Sequence, residues 1–316
     1  MSKVIVTARS FGKTDDEAEK LLAANGCEVV RLAAGTESLE EQLAREITDA
    51  DAVIAGLEPY NAELIASAKN LKVISRYGVG YDRVDLEAAK KQSIAVTYTP
   101  GANGDSVADL AVTLMLGAAR NVCYMNTTMK RPSGLIMYGK TLGIIGVGRI
   151  GKGVAMRCRG FDMNILLYDA YYQDQEFAAS IGAKYVDLET IVREADYISI
   201  HANLNETTRN MFNAETFKKM KNTAVLVNTA RGGIVDEDAL YEALTQGEIY
   251  AAALDAVVDE SDEENNKLRQ LDNCILTPHA GAATTDASSK MSLMAAQNVI
   301  EVLSTGSCRY LVPELK

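Results

Sequence analysis

The sequence contains no tryptophan, only two histidines and only five cysteines among its 316 residues. The cysteines are widely scattered and none belongs to a CxxC pair; they are Cys27, Cys123, Cys158, Cys274 and Cys308. This spacing argues against both a zinc site and a disulfide framework. We therefore expect no metal and reduced, mostly buried thiols, as in a cytoplasmic protein.

Positive charge is also scarce, because 32 Lys and Arg residues face 43 Asp and Glu residues, giving a net charge of −11. A nucleic-acid backbone or an anionic membrane is therefore a poor partner, and an anionic substrate must be held by a local group of cations. No apolar run approaches membrane-spanning length. The first residues, MSKVIVTARS, show no signal-peptide pattern. We expect a cytoplasmic protein that acts on a small molecule.

Residues 140–169 carry the most informative motif, KTLGIIGVGRIGKGVAMRCRGFDMNILLYD. The pattern predicts a strand, a GxGxxG turn, a helix and a second strand. In a dinucleotide site Gly146 makes the tight turn, Gly148 lets the backbone approach the pyrophosphate, and Gly151 lets helix and strand pack closely. The helix N-terminus, at Arg149 and Ile150, favours the phosphates.

An acid closes this motif. Asp169 lies 18 residues beyond Gly151, where a carboxylate accepts hydrogen bonds from the adenosine ribose and repels a 2′-phosphate. No Arg or Lys follows within residues 170–172. The motif therefore predicts NAD rather than NADP as the cofactor. Glycine turns alone are common, but here the strands, the helix and the acid all stand at the spacing that a dinucleotide site requires.

Strands alternate with helices along the chain, which predicts an α/β fold with parallel, doubly wound sheets. The predicted strands are 4–7, 27–32, 52–55, 71–75, 94–97, 142–147, 165–168, 184–186, 197–200, 224–228, 250–254 and 275–277. Residues 14–17 read as a capping box that opens the first helix, and another helix is expected from Ser38. Residues 123–138 are expected to be irregular, and 100–104 read as a linker.

Four polar side chains follow predicted strands: His201, Arg231, Asp255 and His279. Ligands of open parallel sheets bind beyond the carboxyl ends of the strands, so all four are site candidates. His201 lies within the cofactor unit and is expected to line the cofactor pocket. His279 is the better candidate for a group that exchanges a proton near neutral pH, although a loop histidine without a catalytic role is the alternative.

Arg231 and Glu260 suit the same chemistry. Small residues flank Arg231, which fits a guanidinium that binds a carboxylate through two hydrogen bonds. Glu260 can hydrogen-bond a histidine, or it can be one member of an acidic loop at residues 259–264. The pattern of residues leaves both readings open.

Gly78, Val79 and Gly80 form a second glycine pair, but Arg83 stands where a third glycine would be. Turn geometry alone can explain these glycines. The sharper alternative is a nest of backbone N–H groups that binds a carboxylate, with Arg76 beside it.

Together the chain resembles the NAD-dependent D-2-hydroxyacid dehydrogenase family, which includes phosphoglycerate dehydrogenase. The resemblance runs almost end to end and is carried by RYGVGYDRVD at 76–85, GVGRIG at 146–151, NTARGGIVD at 228–236 and TPH at 277–279. It implies two Rossmann-like domains with the active site in the cleft between them. Residues 1–99 with 285–316 would bind substrate, and residues 100–284 would bind NAD. A homodimer formed through the NAD domain is also implied.

The resemblance implies a role for each site residue. His279 would be the acid/base, Glu260 its partner, and Arg231 the residue that binds the substrate carboxylate and carbonyl. Substrate would also meet Arg76, Gly78, Val79, Gly80 and Asn103. The cofactor would meet Gly146, Gly148, Arg149, Ile150, Gly151, Asp169, His201, Thr208, Thr229, Ala230, Asp255 and Gly281.

The sequence departs from the family pattern at three places. Asn203 stands where the family usually has Pro, and Ala256 with Val257 replaces the usual Val-Phe. Residues 121–138 are shorter than the family's dimer arm and lack its usual Trp. These departures bear on the loop beside the cofactor and on the geometry of the dimer.

The expected reaction is oxidation of 3-phosphoglycerate to 3-phosphooxypyruvate, as in serine biosynthesis, without a serine-sensing regulatory domain. Arg83, Lys130 and Arg131 are the candidate phosphate cations, with solvated surface charge as the alternative for each. A second reading is an unphosphorylated acid such as glycerate, lactate or a branched 2-hydroxyacid. A third, from another class, is a non-catalytic NAD(H)-sensing protein.

Overall fold

The computed structural model describes residues 1–33, 35–260, 262 and 265–315. Glu263 and Glu264 of the predicted acidic loop therefore lie outside the described residues, as does Lys316. The chain divides into two compact units, Met1–Asn103 with Ala282–Lys316 and Gly104–Gly281. The first boundary falls inside the segment 100–104 that reads as a linker.

The strands within the described residues follow the alternation seen in the sequence. They are β1 (Ser2–Val6), β2 (Cys27–Arg31), β3 (Ala52–Ala55), β4 (Val73–Arg76), β5 (Ala95–Thr97), β6 (Thr141–Ile145), β7 (Asn164–Tyr168), β8 (Lys184–Tyr185), β9 (Tyr197–Ile200), β10 (Val225–Asn228), β11 (Ala251–Leu254) and β12 (Cys274–Leu276). Each predicted strand is present, with ends that differ by at most two residues.

The helices in the same ranges separate these strands. They are α1 (Glu17–Ala24), α2 (Leu39–Glu46), α3 (Ala62–Ser67), α4 (Leu86–Lys91), α5 (Gly104–Ala119), α6 (Val122–Thr128), α7 (Arg149–Cys158), α8 (Gln175–Ile181), α9 (Leu188–Glu194), α10 (Ala214–Phe217), α11 (Glu237–Gln246) and α12 (Thr285–Thr305).

The first unit is built on a five-stranded parallel sheet in the order β2-β1-β3-β4-β5. Side chains alternate between its faces because the strand repeat is two residues. Ile5 packs in a cluster with α2 and α3, whereas Val4 and Val6 pack with α1 and α12 on the other face. Both faces are therefore covered by helices, as parallel sheets require.

The second unit is built on a seven-stranded parallel sheet in the order β12-β11-β10-β9-β6-β7-β8. Val225 and Val227 face a cluster formed with α5 and α7. Leu226, between them, faces a second cluster formed with α9 and α11. The predicted α/β class with two parallel, doubly wound sheets is confirmed.

Two local predictions are wrong. Residues 14–17 do not form a capping box: α1 begins at Glu17, and its N-cap residue Asp16 makes no side-chain cap. Instead the Asp15 carboxylate accepts the Glu17 N–H at 3.1 Å, so a short-range turn takes the donor that a capping box would use. A capping box does open α2, where Ser38 is paired with Glu41.

The segment 123–138 is not wholly irregular, because α6 occupies its first part. Asn121 and Met129 flank this helix in the left-handed region, with φ of +54° and +57°. The helix has only 7 residues and buries none of them, so it is too short for a helical period to be recognised in the sequence.

The free cysteines of the described chain are mostly enclosed: Cys27, Cys158 and Cys308 are buried, Cys274 is half-buried and Cys123 is exposed. Burial raises the pKa of Cys158 to about 12, so this thiol is unreactive near neutral pH. The expectation of mostly buried thiols is therefore met.

Among the described residues, no single helix combines the length and apolarity needed to cross a membrane. The bent pair α5 and α6, with 58° between them, reaches that threshold by length and composition only. Half of the residues of α5 are buried in the second unit, where they face its sheet.

Candidate active site

The glycine turn between β6 and α7 is shaped by three different steric demands. Gly146 has φ of +87°, and a Cβ there would lie 2.6 Å from the backbone of His201. A Cβ on Gly151 would lie 2.1 Å from the carbonyl oxygen of Gly146. Gly148, in contrast, faces open space, with nothing within 4 Å of its Cβ position. The turn is thus closely packed at Gly146 and Gly151 and open at Gly148, where a pyrophosphate would approach.

Asp169, directly after β7, is tied to this turn. Its Oδ2 accepts the Val147 N–H at 2.8 Å, and its Oδ1 accepts those of Tyr171 and Tyr172 at 3.0 and 3.1 Å. Burial works to raise the pKa of Asp169, but the three backbone donors outweigh it and the pKa is lowered. The residue is therefore a fixed anion at the carboxyl ends of β6 and β7.

His201 follows β9 and stands beside the same turn. Its Nε2 lies 2.9 Å from the hydroxyl of Ser199, and its Nδ1 lies 3.4 Å from that of Thr229. Burial lowers the pKa of His201 to about 3, so the ring is neutral at physiological pH. A ring that stays neutral can line a pocket, and it is a poor candidate for the group that exchanges a proton near neutral pH.

His279 is held in a different environment. Its Nδ1 lies 2.6 Å from Oε1 of Glu260, and the two side chains are only 25% and 13% exposed. Its backbone has φ of +47°, a left-handed conformation that is uncommon outside glycine. No hydrogen bond joins Nε2 to the rest of the described chain. The pairing therefore fixes the ring and leaves one ring nitrogen available for chemistry.

Asp255 organises the loop that carries His279. The carboxylate is 2% exposed. Its Oδ1 accepts from the Thr277 hydroxyl at 2.6 Å and from the Ala280 N–H at 2.7 Å, and its Oδ2 accepts from the Gly281 N–H at 2.8 Å. Burial raises the pKa of Asp255 despite these donors. This structural role was not predicted from the sequence, which suggested only a cofactor contact.

Asn228 plays a similar part for Arg231. Its Nδ2 donates to the Arg231 carbonyl at 2.8 Å, and its Oδ1 accepts the Ala230 N–H at 3.0 Å. A Cβ on Gly232 would lie 2.1 Å from the backbone of Val257. The Arg231 turn is therefore pressed against the segment that leads to Glu260. The sequence NTARGG contained both signals, the buried amide and the glycine.

Thr208 is buried and folds the loop that follows His201. Its hydroxyl donates to the Asn203 carbonyl at 2.7 Å and accepts the Asn205 N–H at 2.8 Å. Asn203 thus enters this network through its backbone carbonyl, which any residue at that position could supply.

In the first unit, Arg76 is only 4% exposed. Its Nη1 donates to the carbonyl of Ala55 at 2.6 Å, and its Nε donates to that of Gly80 at 3.0 Å. The guanidinium therefore fixes the loop after β4 against the end of β3, in addition to any contact with a ligand.

The glycine loop of this unit has fewer donors to offer than the sequence suggested. The Gly78 N–H donates a hydrogen bond to the Thr99 hydroxyl at 3.0 Å. The N–H groups of Val79 and Gly80 make no hydrogen bond to the described residues. Nearby in sequence, Asn103 is 7% exposed and its Oδ1 has no hydrogen-bond partner in the described part of the chain. An orphaned buried acceptor of this kind calls for a bound donor.

The sequence matches a family described as "D-isomer specific 2-hydroxyacid dehydrogenase, NAD binding domain" over residues 112–281. A hydroxypyruvate reductase of Thermotoga maritima is 40% identical over 279 residues, covering 85% of this chain and 90% of that protein. A D-3-phosphoglycerate dehydrogenase of Methanocaldococcus jannaschii is 41% identical over 312 residues. That alignment covers 96% of this chain but only 58% of the relative.

Solved structures share the architecture. The cofactor (NAD+)-bound 3-phosphoglycerate dehydrogenase of Entamoeba histolytica superposes with a TM-score of 0.84 and 28% sequence identity, over 99% of each chain.

Proposed function

Because the chain belongs to the D-isomer specific 2-hydroxyacid dehydrogenase family and is an NAD-dependent enzyme of that kind, we propose that it transfers hydride between NAD and C2 of a three-carbon D-2-hydroxyacid. The observation that carries this proposal is the 2.6 Å contact between His279 Nδ1 and Glu260 Oε1. A protein that only sensed NAD(H) would have no use for a poised proton donor, and that alternative is set aside.

The nicotinamide of bound NAD would accept the hydride in oxidation and supply it in reduction. In oxidation, neutral His279 takes the proton of the C2 hydroxyl at Nε2; in reduction, the protonated ring returns it to the carbonyl oxygen. Glu260 accepts from Nδ1–H and stabilises the imidazolium. Arg231 binds the substrate carboxylate and orients the reacting carbon.

The residues proposed to hold the cofactor lie in the second unit. The open face of Gly148 and the N-terminus of α7 (Arg149, Ile150) would receive the pyrophosphate, and Asp169 would accept from the ribose hydroxyls. The other proposed contacts are Gly146, Gly151, His201, Thr208, Thr229, Ala230, Asp255 and Gly281. One lone pair of Asp255 Oδ2 would accept from a carboxamide donor, since among the described residues only the Gly281 N–H donates to that oxygen.

The residues proposed for substrate in the first unit are Arg76, Gly78, Val79, Gly80 and Asn103. The N–H groups of Val79 and Gly80 would bind anionic oxygen. Asn103 Oδ1 would accept a hydrogen bond from a substrate hydroxyl. Arg76 and Gly78 would also act through the loop, because the Gly78 N–H and the Nε and Nη1 groups of Arg76 make hydrogen bonds within the protein.

Two pairs of three-carbon acids are candidates. The sequence predicts 3-phosphoglycerate and 3-phosphooxypyruvate, in line with the Methanocaldococcus relative. Yet Arg83, Lys130 and Arg131 are all exposed, and Lys130 lies over the ring of Tyr124 at 5.9 Å. The pair of glycerate and hydroxypyruvate needs no such cations and accords with the Thermotoga relative, which is matched over 90% of its length. We favour this second pair.

The test is oxidation of NADH by the purified protein with hydroxypyruvate, 3-phosphooxypyruvate or glyoxylate as acceptor. We expect turnover with at least one of them, lost in His279→Ala, and little use of NADPH. Absence of NADH oxidation with all three acids would overturn the proposal. Dimerisation through the second unit remains a prediction, which sedimentation of the same sample would check.

A further inference from the structure

The strand order of the first unit marks a particular place on its sheet. The chain passes from β1 to β2 on one side and returns to β3 on the other side of β1. In open parallel sheets this reversal leaves a crevice at the carboxyl ends of the two central strands, where ligands bind. Thr7 follows β1 there, and residues 56–60 follow β3.

Glu58 occupies this position, and its two oxygens differ. Oε1 accepts hydrogen bonds from the Thr7 hydroxyl, from the Tyr60 hydroxyl at 2.6 Å and from the Gly56 N–H at 3.0 Å. Oε2 makes no hydrogen bond, and Glu58 makes no ion pair, within the ranges that the structure describes. One oxygen thus anchors the carboxylate, and the other remains an acceptor.

The Tyr60 hydroxyl that anchors Glu58 is enclosed by the protein. Tyr60 is fully buried, and burial, followed by the Glu58 charge, raises the pKa of Tyr60 well above its usual value. Its hydroxyl is therefore a permanent donor that holds the carboxylate in place.

A fixed anion with one unused oxygen selects ligands by two effects. It accepts a hydrogen bond from a hydroxyl group, and it repels a phosphate placed at the same point. The chemistry of the proposed reaction offers both kinds of group, because glycerate and hydroxypyruvate carry a hydroxyl at C3, and their phosphorylated counterparts carry a dianion there.

We infer that Glu58 is the residue that determines substrate specificity at C3, with Oε2 accepting from a C3 hydroxyl and the charge excluding a C3 phosphate. This inference rests on the proposed function. It assigns the enzyme to the unphosphorylated three-carbon acids, and it leaves the acid/base chemistry of His279 unchanged.

The test compares kcat/KM for hydroxypyruvate, 3-phosphooxypyruvate and glyoxylate in the wild type, Glu58→Gln and Glu58→Asp. We expect the wild type to prefer hydroxypyruvate over 3-phosphooxypyruvate. Glu58→Gln should lower the value for hydroxypyruvate about tenfold, as expected for losing a hydrogen bond to a charged group, and should raise the value for 3-phosphooxypyruvate. Glyoxylate has no C3, so its value should stay within about twofold.

Glu58→Asp keeps the charge but moves the carboxylate oxygen away from the substrate. It should therefore lower kcat/KM for hydroxypyruvate and keep kcat/KM for 3-phosphooxypyruvate low. Glu63→Gln, an exposed carboxylate on α3, is the matched control and should alter none of the three values. NADH binding, measured by fluorescence, reports whether each variant is folded. A wild type that prefers 3-phosphooxypyruvate, or a Glu58→Gln effect equal for all three acids, would overturn the inference. A wild type inactive on every acid would instead overturn the proposed function.

Discussion

His279 Nδ1 and Glu260 Oε1 lie 2.6 Å apart, although 19 residues separate them in the chain. The contact joins the loop after β11 to the loop after β12. A histidine fixed in this way presents Nε2 in one orientation, which is the requirement for proton transfer to a positioned substrate.

Replacement of these two residues should therefore affect turnover and spare cofactor binding. We expect His279→Ala to lower kcat by about 10²–10⁴-fold, the usual contribution of a general acid/base, and Glu260→Gln to lower it less. The affinity for NADH, measured by fluorescence titration, should be unchanged in both. Full activity in His279→Ala would exclude the proposed role.

The glycine turn offers a prediction that separates fold from binding. Gly151→Ala places a Cβ 2.1 Å from a backbone oxygen, so it should cost roughly 1–3 kcal/mol of stability, as overpacking does. Gly148→Ala meets nothing within 4 Å and should unfold like the wild type. It should nevertheless bind NADH at least ~10-fold more weakly, because its methyl group would project toward the pyrophosphate.

Gly160→Ala is the control for both variants, since its Cβ also faces open space and Gly160 lies beyond the C-terminal end of α7, away from the glycine turn. Urea unfolding and NADH titration of the three proteins would check the set. Unaltered NADH affinity in Gly148→Ala would contradict the proposal that the pyrophosphate binds at this turn.

His201 predicts a dependence of stability on pH. Burial lowers its pKa to about 3 in the folded protein, whereas an unfolded histidine has a value of about 6.5. Between these values the unfolded state binds more protons, so acidification favours unfolding. The free energy of unfolding should therefore fall more steeply in the wild type than in His201→Asn as the pH drops below about 6.5. Parallel curves from urea titrations between neutral and acidic pH would contradict the prediction.

Replacement of Asn103 should lower kcat/KM for the substrate and should not lower the stability of the protein. Its Oδ1 is buried without a partner in the described chain, and such an atom costs about 1–3 kcal/mol rather than contributing stability. Asn103→Ala should thus be at least as stable as the wild type, while kcat/KM for the preferred oxoacid falls about tenfold.

Thr97→Val provides the comparison, because Thr97 Oγ1 is the other orphaned buried side-chain atom of the described residues. Thr97 is the last residue of β5 and is fully buried, and its replacement should leave the kinetics unchanged. Equal kinetic losses in the two variants would show that the Asn103 effect is merely structural.

Much of the fold could be predicted because its signals are local. Residues 52–55 and 197–200 are short apolar runs bounded by turn residues, and both are strands with the predicted ends. The glycine turn could be predicted because its three glycines are contiguous in one short motif, although the close contact at Gly146 comes from the distant His201. Helix α6 could not be predicted, because its 7 residues are too few for a helical period to stand out.

The parts of the site that escaped prediction depend on contacts distant in sequence. Asp255 binds the loop at 277–281 only once β11 and β12 have paired, and nothing in its own neighbourhood indicates this. Glu58 is an unremarkable acid in a turn until β1 and β3 pair and bring Thr7 to it. The catalytic candidates at strand ends could therefore be predicted from the sequence. The residues that position them could be identified only from the folded sheet.

The path of the chain through the first unit has a consequence for synthesis on the ribosome. Val4, Val6, Ile54 and Val73 are covered by Ala295 and Val299 of α12, which is translated after the whole of the second unit. The part of this face that α1 does not cover therefore stays exposed while about 180 residues emerge. The second unit is continuous and can fold as soon as it leaves the exit tunnel. We expect nascent chains arrested before α12 to bind NADH yet to recruit holdase chaperones to their N-terminal sheet.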